Sequence, residues 1–197
     1  GEEFAPLVAR LTSDLAPLSG AEIGLLARLL TGAADAARRI QVADPPCPAL
    51  LRELESLGDP SPLLAKIGRV LDAKGRVRDD ASPRLVALAK ETRAARERIY
   101  SRLERVRGGH AELFEQETTP LRGGRLLLVL SAGARGRIPG LVHGRSASEK
   151  SFYFEPLEVV EENNTLQTAS EEQEAERQRL LQELRAELGR ELPLVLK

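Results

Sequence analysis

Residues 122–164 read RGGRLLLVLSAGARGRIPGLVHGRSASEKSFYFEPLEVVEENN, and they form the one stretch of the chain without helical periodicity. Three runs within it, 126–130, 138–142 and 151–154, are rich in apolar residues and are bounded by glycine and serine clusters. Short runs bounded in this way are typical of β-strands. The stretch therefore predicts a small antiparallel β insertion in a chain that is otherwise mainly α.

The predicted turns between these strands carry positive charge. Residues 121–150 contain six basic side chains and one acidic side chain, a net charge of +5, in a chain whose formal net charge is −1. Guanidinium, ammonium and hydroxyl groups in turns can donate hydrogen bonds to phosphate oxygens, which positions a nucleic acid without reading its bases. The candidate nucleic-acid-binding residues are Arg122, Arg125, Arg135, Arg137, His143, Arg145, Ser146, Ser148 and Lys150.

A structural role is the alternative for each part of this set. The arginines can instead keep the turns soluble and pair with glutamates of the last helix. His143, at the end of a predicted strand, can be a partly buried hydrogen-bonding residue. Phe152 and Phe154 fall on one face of a strand and Tyr153 on the other, which favours core packing of the phenylalanines over a platform for base stacking.

Helical spacing of apolar residues marks the chain before the sheet. It covers residues 4–15, 21–42, 49–57 and 63–71, and prolines or glycines separate these segments. Ser19 and Glu22 have the spacing of a capping box, which predicts a helix start. Ser82 followed by Pro83 predicts another start, with serine as the N-cap and proline at the first helical position. The apolar seam of that helix consists of Leu85, Leu88, Thr92, Ala95, Ile99, Leu103 and Val106.

Two long helices of opposite charge are predicted on either side of the sheet. Residues 83–107 carry eight basic and three acidic side chains, a net charge of +5. The returning helix begins near residue 157 or 163 and runs to about 189, and residues 155–191 carry eleven glutamates and four arginines, a net charge of −7. An antiparallel pair is expected, held mainly by apolar packing because exposed ion pairs contribute only about 0.3–0.5 kcal/mol each. Asn163 and Asn164 suit capping of the returning helix. Its apolar stripe consists of Leu166, Ala169, Leu180, Leu181, Leu184 and Leu188.

The sequence contains no pattern typical of catalysis. His110 and His143 are the only histidines and Cys47 is the only cysteine, so an internal disulfide or a cysteine-based zinc site is excluded. The phosphate-cradling pattern G-x-x-x-x-G-K-[ST] is missing, and Ser148 stands where G-x-S-x-G requires glycine. We therefore predict no catalytic residue and no metal in this chain.

The composition of the chain also indicates the cellular compartment in which the protein is expected to act. No apolar run approaches the roughly 18 residues that span a bilayer, and the N-terminus lacks the features of a signal peptide. A single cysteine favours a reducing cytoplasm. The chain has no methionine, even at position 1, so we expect a piece of a longer protein whose activity can lie elsewhere.

Residues 125–164 contain a series of short motifs in a fixed order. They are Arg125, Arg135-Gly136-Arg137, Gly140-Leu141-Val142-His143, Ser146, Ser148, Ser151, Phe154-Glu155-Pro156 and Asn163-Asn164. In this order they resemble the clamp region of the MutS family, in the bacterial branch that suppresses recombination instead of reading mismatches. The sequence departs from the pattern at Ser131, Gly144, Ala147 and Glu149, where the family has lysine, aspartate, serine and glycine.

The resemblance implies long lever helices that carry a β-rich clamp. It divides the chain into a helical core and lever over 1–115, the clamp over 116–160 and a returning lever helix over 161–197. The implied function is non-catalytic binding of branched or duplex DNA in DNA repair and suppression of homologous recombination. The resemblance also implies a homodimeric parent protein, a cytoplasmic and nucleoid-associated location, and an ATPase domain outside this chain that holds ATP and magnesium.

Two other functions stay open at the level of sequence. The leucine stripe of the returning helix suits an assembly module whose helices hold a dimer. The branch that the sequence resembles also suggests a clamp that grips ribosomes. DNA and ribosomes both present phosphates, so the residues do not distinguish between them.

Overall fold

A computed structural model of the protein describes residues 5–12, 17–42, 59–115, 118–146 and 149–195. These residues form mainly helices and two small antiparallel sheets, which confirms the predicted fold class. The chain divides into two compact units: a helical unit, Gly1–Leu85 with Ala175–Lys197, and a sheet unit, Val86–Glu174. The division at residues 115 and 160 follows the family resemblance and stays a prediction. The helix predicted over 49–57 lies outside the described residues.

The helical unit contains α1 (Ala5–Thr12), α2 (Gly20–Gln41) and α3 (Ser61–Val70). The predicted capping box starts α2. Ser19 Oγ accepts a hydrogen bond from the Glu22 amide at 3.3 Å, and a Glu22 carboxylate oxygen accepts one from the Ser19 amide at 2.7 Å. Ile23, Leu26 and Leu30 form the buried face of α2. Leu25 and Leu29 of the same helix are only partly buried.

The core of the helical unit joins these helices to the C-terminal part of α5 (Val160–Val195). Leu180, Leu184 and Leu188 are at most 6% exposed and pack in one cluster with residues of α1, α2 and α3. The predicted leucine stripe is thus covered by the chain itself. Helix α5 extends six residues beyond the predicted end at Gly189. A glycine costs about 1 kcal/mol in a helix relative to alanine, which by itself does not end a helix of 36 residues.

The sheet unit contains five short strands in two sheets. Strands β1 and β2 form a hairpin around Gly123 and Gly124, whose φ angles are 54° and 79°. The second sheet has the order β3-β5-β4, and both of its pairings are antiparallel. The five strands are β1 (Leu121–Arg122), β2 (Arg125–Leu126), β3 (Leu128–Ser131), β4 (Gly140–Arg145) and β5 (Ser151–Pro156).

Each of the three predicted apolar runs contains strand residues, but the boundaries of the strands differ from the prediction. The run 126–130 is divided between β2 and β3, and the run 138–142 starts its strand only at Gly140 and continues to Arg145. A bulge interrupts the pairing of β4 with β5. Val142 lies opposite Phe154 and Gly144 lies opposite Tyr153, so His143 is the extra residue. Gly144 has φ 140°, which a glycine adopts without strain.

Helix α4 (Pro83–Gly109) and α5 run antiparallel in the sheet unit, as predicted. Gln173 donates a hydrogen bond to Thr92 at 3.2 Å, and Arg102 pairs with Glu162 at 2.6 Å. Leu88, Ala95, Ile99 and Leu103 of the predicted seam are buried. The predicted N-cap of α4 is also confirmed, because Ser82 Oγ accepts a hydrogen bond from the Leu85 amide at 3.1 Å.

The prediction that Asn163 caps the returning helix is wrong. Helix α5 begins at Val160, so Asn163 lies inside its first turn, where the residue is fully buried. Its side chain instead bonds to both backbone groups of Leu126, accepting from the amide at 3.0 Å and donating to the carbonyl at 3.1 Å. Asn163 therefore extends the hydrogen bonding of β2 from a helix. None of the helices in the described residues has the length and apolar character that crossing a membrane requires.

Candidate nucleic-acid interface

The candidate residues lie on both faces of the three-stranded sheet, because neighbouring residues of a strand point to opposite sides. On one side, the Arg122 guanidinium lies 4.4 Å from the ring centroid of Tyr153 and donates a hydrogen bond of 2.7 Å to its hydroxyl. On the other side, Arg135 and Arg145 each lie 5.6 Å from the ring centroid of Phe152. The sequence therefore placed in one set residues that the fold separates.

Four cations, which we call the exposed group, project into solvent from the loop before β4, the end of β4 and the β4–β5 turn. They are Arg135, Arg137, Arg145 and Lys150. The side chains of Arg137 and Arg145 are 58% and 60% exposed. Their acidic partners are exposed as well, and both ion pairs are long: Glu112 lies 3.6 Å from Arg137, and Glu149 lies 3.9 Å from Arg145. Pairs of this kind contribute about 0–1 kcal/mol, so a ligand can displace them at little cost.

Phe152 explains how two of these cations are held. The phenylalanine is 8% exposed, and its ring supports the guanidinium groups of Arg135 and Arg145. Cation–π contacts at exposed sites contribute about 0.5–1 kcal/mol each. The ring therefore orients both guanidinium groups while their N–H donors stay accessible. Phe154 is buried with Leu130, which agrees with core packing of the phenylalanines.

Arg125 and His143 have a different environment, since both contact the fully buried carboxylate of Glu155. Arg125 donates to one carboxylate oxygen at 2.7 Å, and His143 Nε2 lies 2.6 Å from the other. Arg125 also donates to Asn164 Oδ1 at 2.5 Å, and its side chain is only 20% exposed. These contacts provide the structural role that was the alternative for His143. A role for either residue in binding nucleic acid stays a prediction.

Asn163 completes the network around Glu155. Its Nδ2 donates to the same carboxylate oxygen as Arg125, at 2.8 Å. A buried carboxylate requires such donors, because an unpaired charge in the interior is costly. Through these contacts one side chain of β5 connects β2, β4 and α5. Sequence reasoning missed this network. The signal that could have revealed it is the presence of Phe154-Glu155-Pro156 and Asn163-Asn164 in one series of motifs.

The β4–β5 turn is closed by serines. The Ser146 amide donates to the Ser151 carbonyl at 2.9 Å, and Ser151 Oγ donates to Ser146 Oγ at 2.8 Å. Ser151 is buried and Ser146 is half-buried, so Ser146 has a structural contact in addition to its candidate role. Ser148 lies outside the described residues. Glu149 has φ 58° at the position where the family pattern has glycine.

Other chemistry is limited in the described part of the chain. Its His, Cys, Asp and Glu side chains include no group of three that could hold a metal ion. The cluster at Glu155 contains one carboxylate and one imidazole, and arginine and asparagine supply its other members. Four cations in an exposed arrangement next to a buried, internally paired network can bind an anion at the surface.

Comparison with known proteins gives the family. No family model matches the chain. Proteins named endonuclease MutS2 are similar to it: that of Thermus thermophilus is 34% identical over 143 residues, 73% of this chain and 19% of that protein. The one from Symbiobacterium thermophilum is 34% identical over 70% of this chain and 17% of its own length, and the one from Thermomicrobium roseum is 33% identical over 66% and 17%. The chain thus spans less than a fifth of the length of these relatives. At this identity and coverage, and with a mainly helical fold that holds a small inserted sheet, the chain belongs to the MutS2 family.

Proposed function

We propose that the exposed group binds the phosphate backbone of DNA, and that the chain is a non-catalytic DNA-binding part of a MutS-type ATPase. The observation that carries the proposal is the exposure of Arg135, Arg137, Arg145 and Lys150, whose acidic neighbours among the described residues, Glu112 and Glu149, are themselves exposed. Guanidinium groups bind phosphates through paired N–H donors, which suits the orientation that Phe152 gives to Arg135 and Arg145.

Such contacts are independent of base sequence and sensitive to salt. Each phosphate neutralised on duplex DNA contributes about 0.9 to the slope of log affinity against log salt concentration. Four contacts contribute about 3.6, so raising the salt from about 50 to 200 mM weakens binding by roughly a hundredfold through the exposed group alone. Arg122 and Ser146, also near the surface, are candidates for additional contacts.

The wider role follows from the family. In this proposal the sheet unit is the clamp and the long helices are levers of a homodimer that closes on branched or duplex DNA and suppresses homologous recombination. ATP and magnesium act in a separate domain of the intact protein, which is located in the cytoplasm on the nucleoid. The resemblance of residues 125–164 to the clamp motifs and the similarity to proteins named endonuclease MutS2 support this role.

The test is reversal of the exposed group by the substitutions Arg135→Glu, Arg137→Glu, Arg145→Glu and Lys150→Glu. Binding to a duplex and to a four-way junction is measured by fluorescence anisotropy across a salt series. The matched control reverses three arginines and one lysine that are exposed in the helical unit, Arg28, Arg39, Arg69 and Lys74. We expect the first variant to lose binding and salt dependence and the control, of equal net charge, to keep most of both. Unchanged binding of the first variant at low salt contradicts the proposal.

Ribosomes are the other phosphate-rich target that the family suggests. Competition between labelled duplex and purified ribosomes for the wild-type chain separates the two. If ribosomes displace the duplex at concentrations far below those of competing unlabelled DNA, the exposed group serves the ribosome and the DNA proposal is wrong. If unlabelled junction or duplex is the stronger competitor, the DNA proposal is supported.

A further inference from the structure

A cleft of about 520 Å³ lies in the sheet unit between the C-terminal end of α4 and the loop that leads into β4. Arg105 and His110 line one side, and Ile138 and Pro139 line the other. Arg137, a member of the exposed group, directly precedes Ile138 in the chain. The cleft therefore begins beside the surface that the proposed function uses.

A second concavity of about 470 Å³ continues along α4. Arg98 and Ser101 line it, and both Arg102 and Arg105 border the two cavities. The two concavities therefore share a wall and form one groove, which extends from the loop before β4 along one flank of α4. This flank borders the buried seam that faces α5.

The arginines of this groove differ in their pairing. Arg102 is committed to α5 and the segment before it, since it pairs with Glu162 at 2.6 Å and donates to the Glu158 carbonyl at 2.6 Å. Among the residues that the structure describes, no carboxylate lies within salt-bridge distance of Arg98 or Arg105. Burial of the seam fixes the face of α4 on which both arginines lie, and each remains exposed.

We propose that the nucleic-acid backbone bound by the exposed group continues through this groove, where Arg98 and Arg105 contact further phosphates. The inference rests on the proposed function, because it extends the same ligand from Arg137 onto α4. The seven residue steps from Arg98 to Arg105 correspond to about 10.5 Å along the helix at 1.5 Å per residue. A DNA strand carries one phosphate per 3.4 Å of axis, so this distance matches about three nucleotides.

Acidic side chains also line the groove, and removing their charge is expected to change DNA binding in the opposite direction. Glu97 lines the concavity on α4, and Glu158 lines the cleft. Both are exposed and lie where a phosphate would be repelled. Removal of the Glu158 charge by Glu158→Gln is therefore expected to strengthen binding, whereas the same change at a glutamate outside the groove, such as Glu172→Gln on α5, is expected to have little effect.

The main test compares two double reversals on one helix. Arg98→Glu with Arg105→Glu changes the groove, and Arg93→Glu with Arg96→Glu changes two exposed arginines of α4 that line neither concavity. We expect the groove variant to lower the salt slope for duplex DNA by about 1.8, so that its loss of affinity between about 50 and 200 mM salt is roughly tenfold smaller than that of the wild type. The control is expected to keep the wild-type slope. Circular dichroism verifies folding, and Arg105→Gln is the milder second variant.

Each outcome decides a different point. Equal salt slopes for the two double variants, or an unchanged salt slope for the groove variant, contradict the proposal that the groove binds DNA. If the exposed-group reversal leaves DNA binding intact while the groove variant abolishes it, the exposed group does not bind DNA but the groove does. A polyglutamate peptide that binds in an Arg105-dependent manner, with DNA bound independently of Arg105, overturns the inference by identifying an acidic protein segment as the ligand.

Discussion

At the scale of single residues, Glu155 and the exposed arginines represent opposite uses of charge. The Glu155 carboxylate is fully buried and accepts hydrogen bonds from Arg125 and Asn163. It also accepts one from His143, whose Nε2 carries the proton in this contact. In the part of the chain that the structure describes, the acidic neighbours of the exposed group are Glu112 and Glu149, and both are exposed. A buried pair is costly to break and an exposed pair is not, so substitutions at the two kinds of site are expected to affect different properties.

Glu155→Gln tests the interior network. The change leaves the Arg125 guanidinium, which is 20% exposed, without a carboxylate. Removal of one partner of a buried ion pair costs about 3 kcal/mol, and we expect a decrease of that order in the free energy of unfolding measured with urea. Glu149→Gln is the control, since its side chain is 78% exposed and its loss is expected to change stability by less than about 0.5 kcal/mol. Equal effects at both positions contradict the network.

Glu149→Gly tests the turn between β4 and β5. A non-glycine residue at φ 58° pays about 1 kcal/mol of backbone strain. Glycine removes this strain and also the one negative charge among residues 121–150. We therefore expect the variant to be more stable to heat and to bind duplex DNA more tightly than the wild type. Glu149→Gln separates the two effects, because it removes the charge but keeps the strain.

At the scale of elements, local signals were sufficient for the starts of α2 and α4 but not for the limits of α5. The capping box at Ser19, the N-cap at Ser82 and the seam of α4 are set by residues within one or two turns, so the sequence predicted them. The order β3-β5-β4, the bulge at His143 and the contact of Asn163 with Leu126 depend on residues far apart in the chain. Periodicity carries no information about such contacts. Division of the candidate site between two faces of the sheet was missed for the same reason.

Gly140→Ala tests the pairing of β4 with β5. A Cβ atom at this position would overlap the ring of Phe154 and lie 2.5 Å from the carbonyl oxygen of Glu155. Overpacking of this kind costs about 1–3 kcal/mol, and we expect a matching loss in the free energy of unfolding together with weaker DNA binding. Gly133→Ala is the matched control, because an added Cβ there would have no described residue other than its near neighbours in the chain within 4 Å. A stable Gly140→Ala variant contradicts the close pairing.

The start of α4 gives a pH prediction. Hydrogen bonds from Arg179, and then from Ser82, lower the pKa of Glu176 from 4.5 to about 2. Because the pKa in the folded state is lower than in the unfolded chain, this carboxylate contributes stability above about pH 4.5, and the contribution is lost as the pH falls towards 2. We expect Glu176→Gln to flatten the dependence of unfolding free energy on pH in this window. An identical acid dependence in the variant and the wild type contradicts the assignment.

At the scale of the whole molecule, charge is distributed unevenly although it sums to −1. Residues 121–150 have a net charge of +5, and residues 155–191 have −7. A local field of this kind can attract a polyanion that the net charge would repel. The family was recognisable from the sequence because the motif residues follow each other closely, whereas the accessibility of each cation required the structure.

Hydrogen exchange in the presence of duplex DNA tests the proposal across the chain. We expect DNA to slow exchange in residues 132–146 and in the last turns of α4, where the exposed group and the groove lie. The amides of α1, α2 and α3 are expected to exchange equally with and without DNA. Protection that is confined to those three helices would place the interface in the helical unit and contradict both proposals.

The bulge in β4 concerns one residue and leaves the rest of the strand in register. His143 occupies a position without an opposite residue in β5, and from there its imidazole contacts the Glu155 carboxylate. Deleting His143 would restore a regular ladder in which Gly144 still lies opposite Tyr153 and Arg145 still lies opposite Phe152. Arg145 would keep its place beside the ring of Phe152, because residues opposite each other in a ladder point to the same face. A homologue that is one residue shorter at this point therefore loses the contact with the buried carboxylate but can present the same cation in the same place.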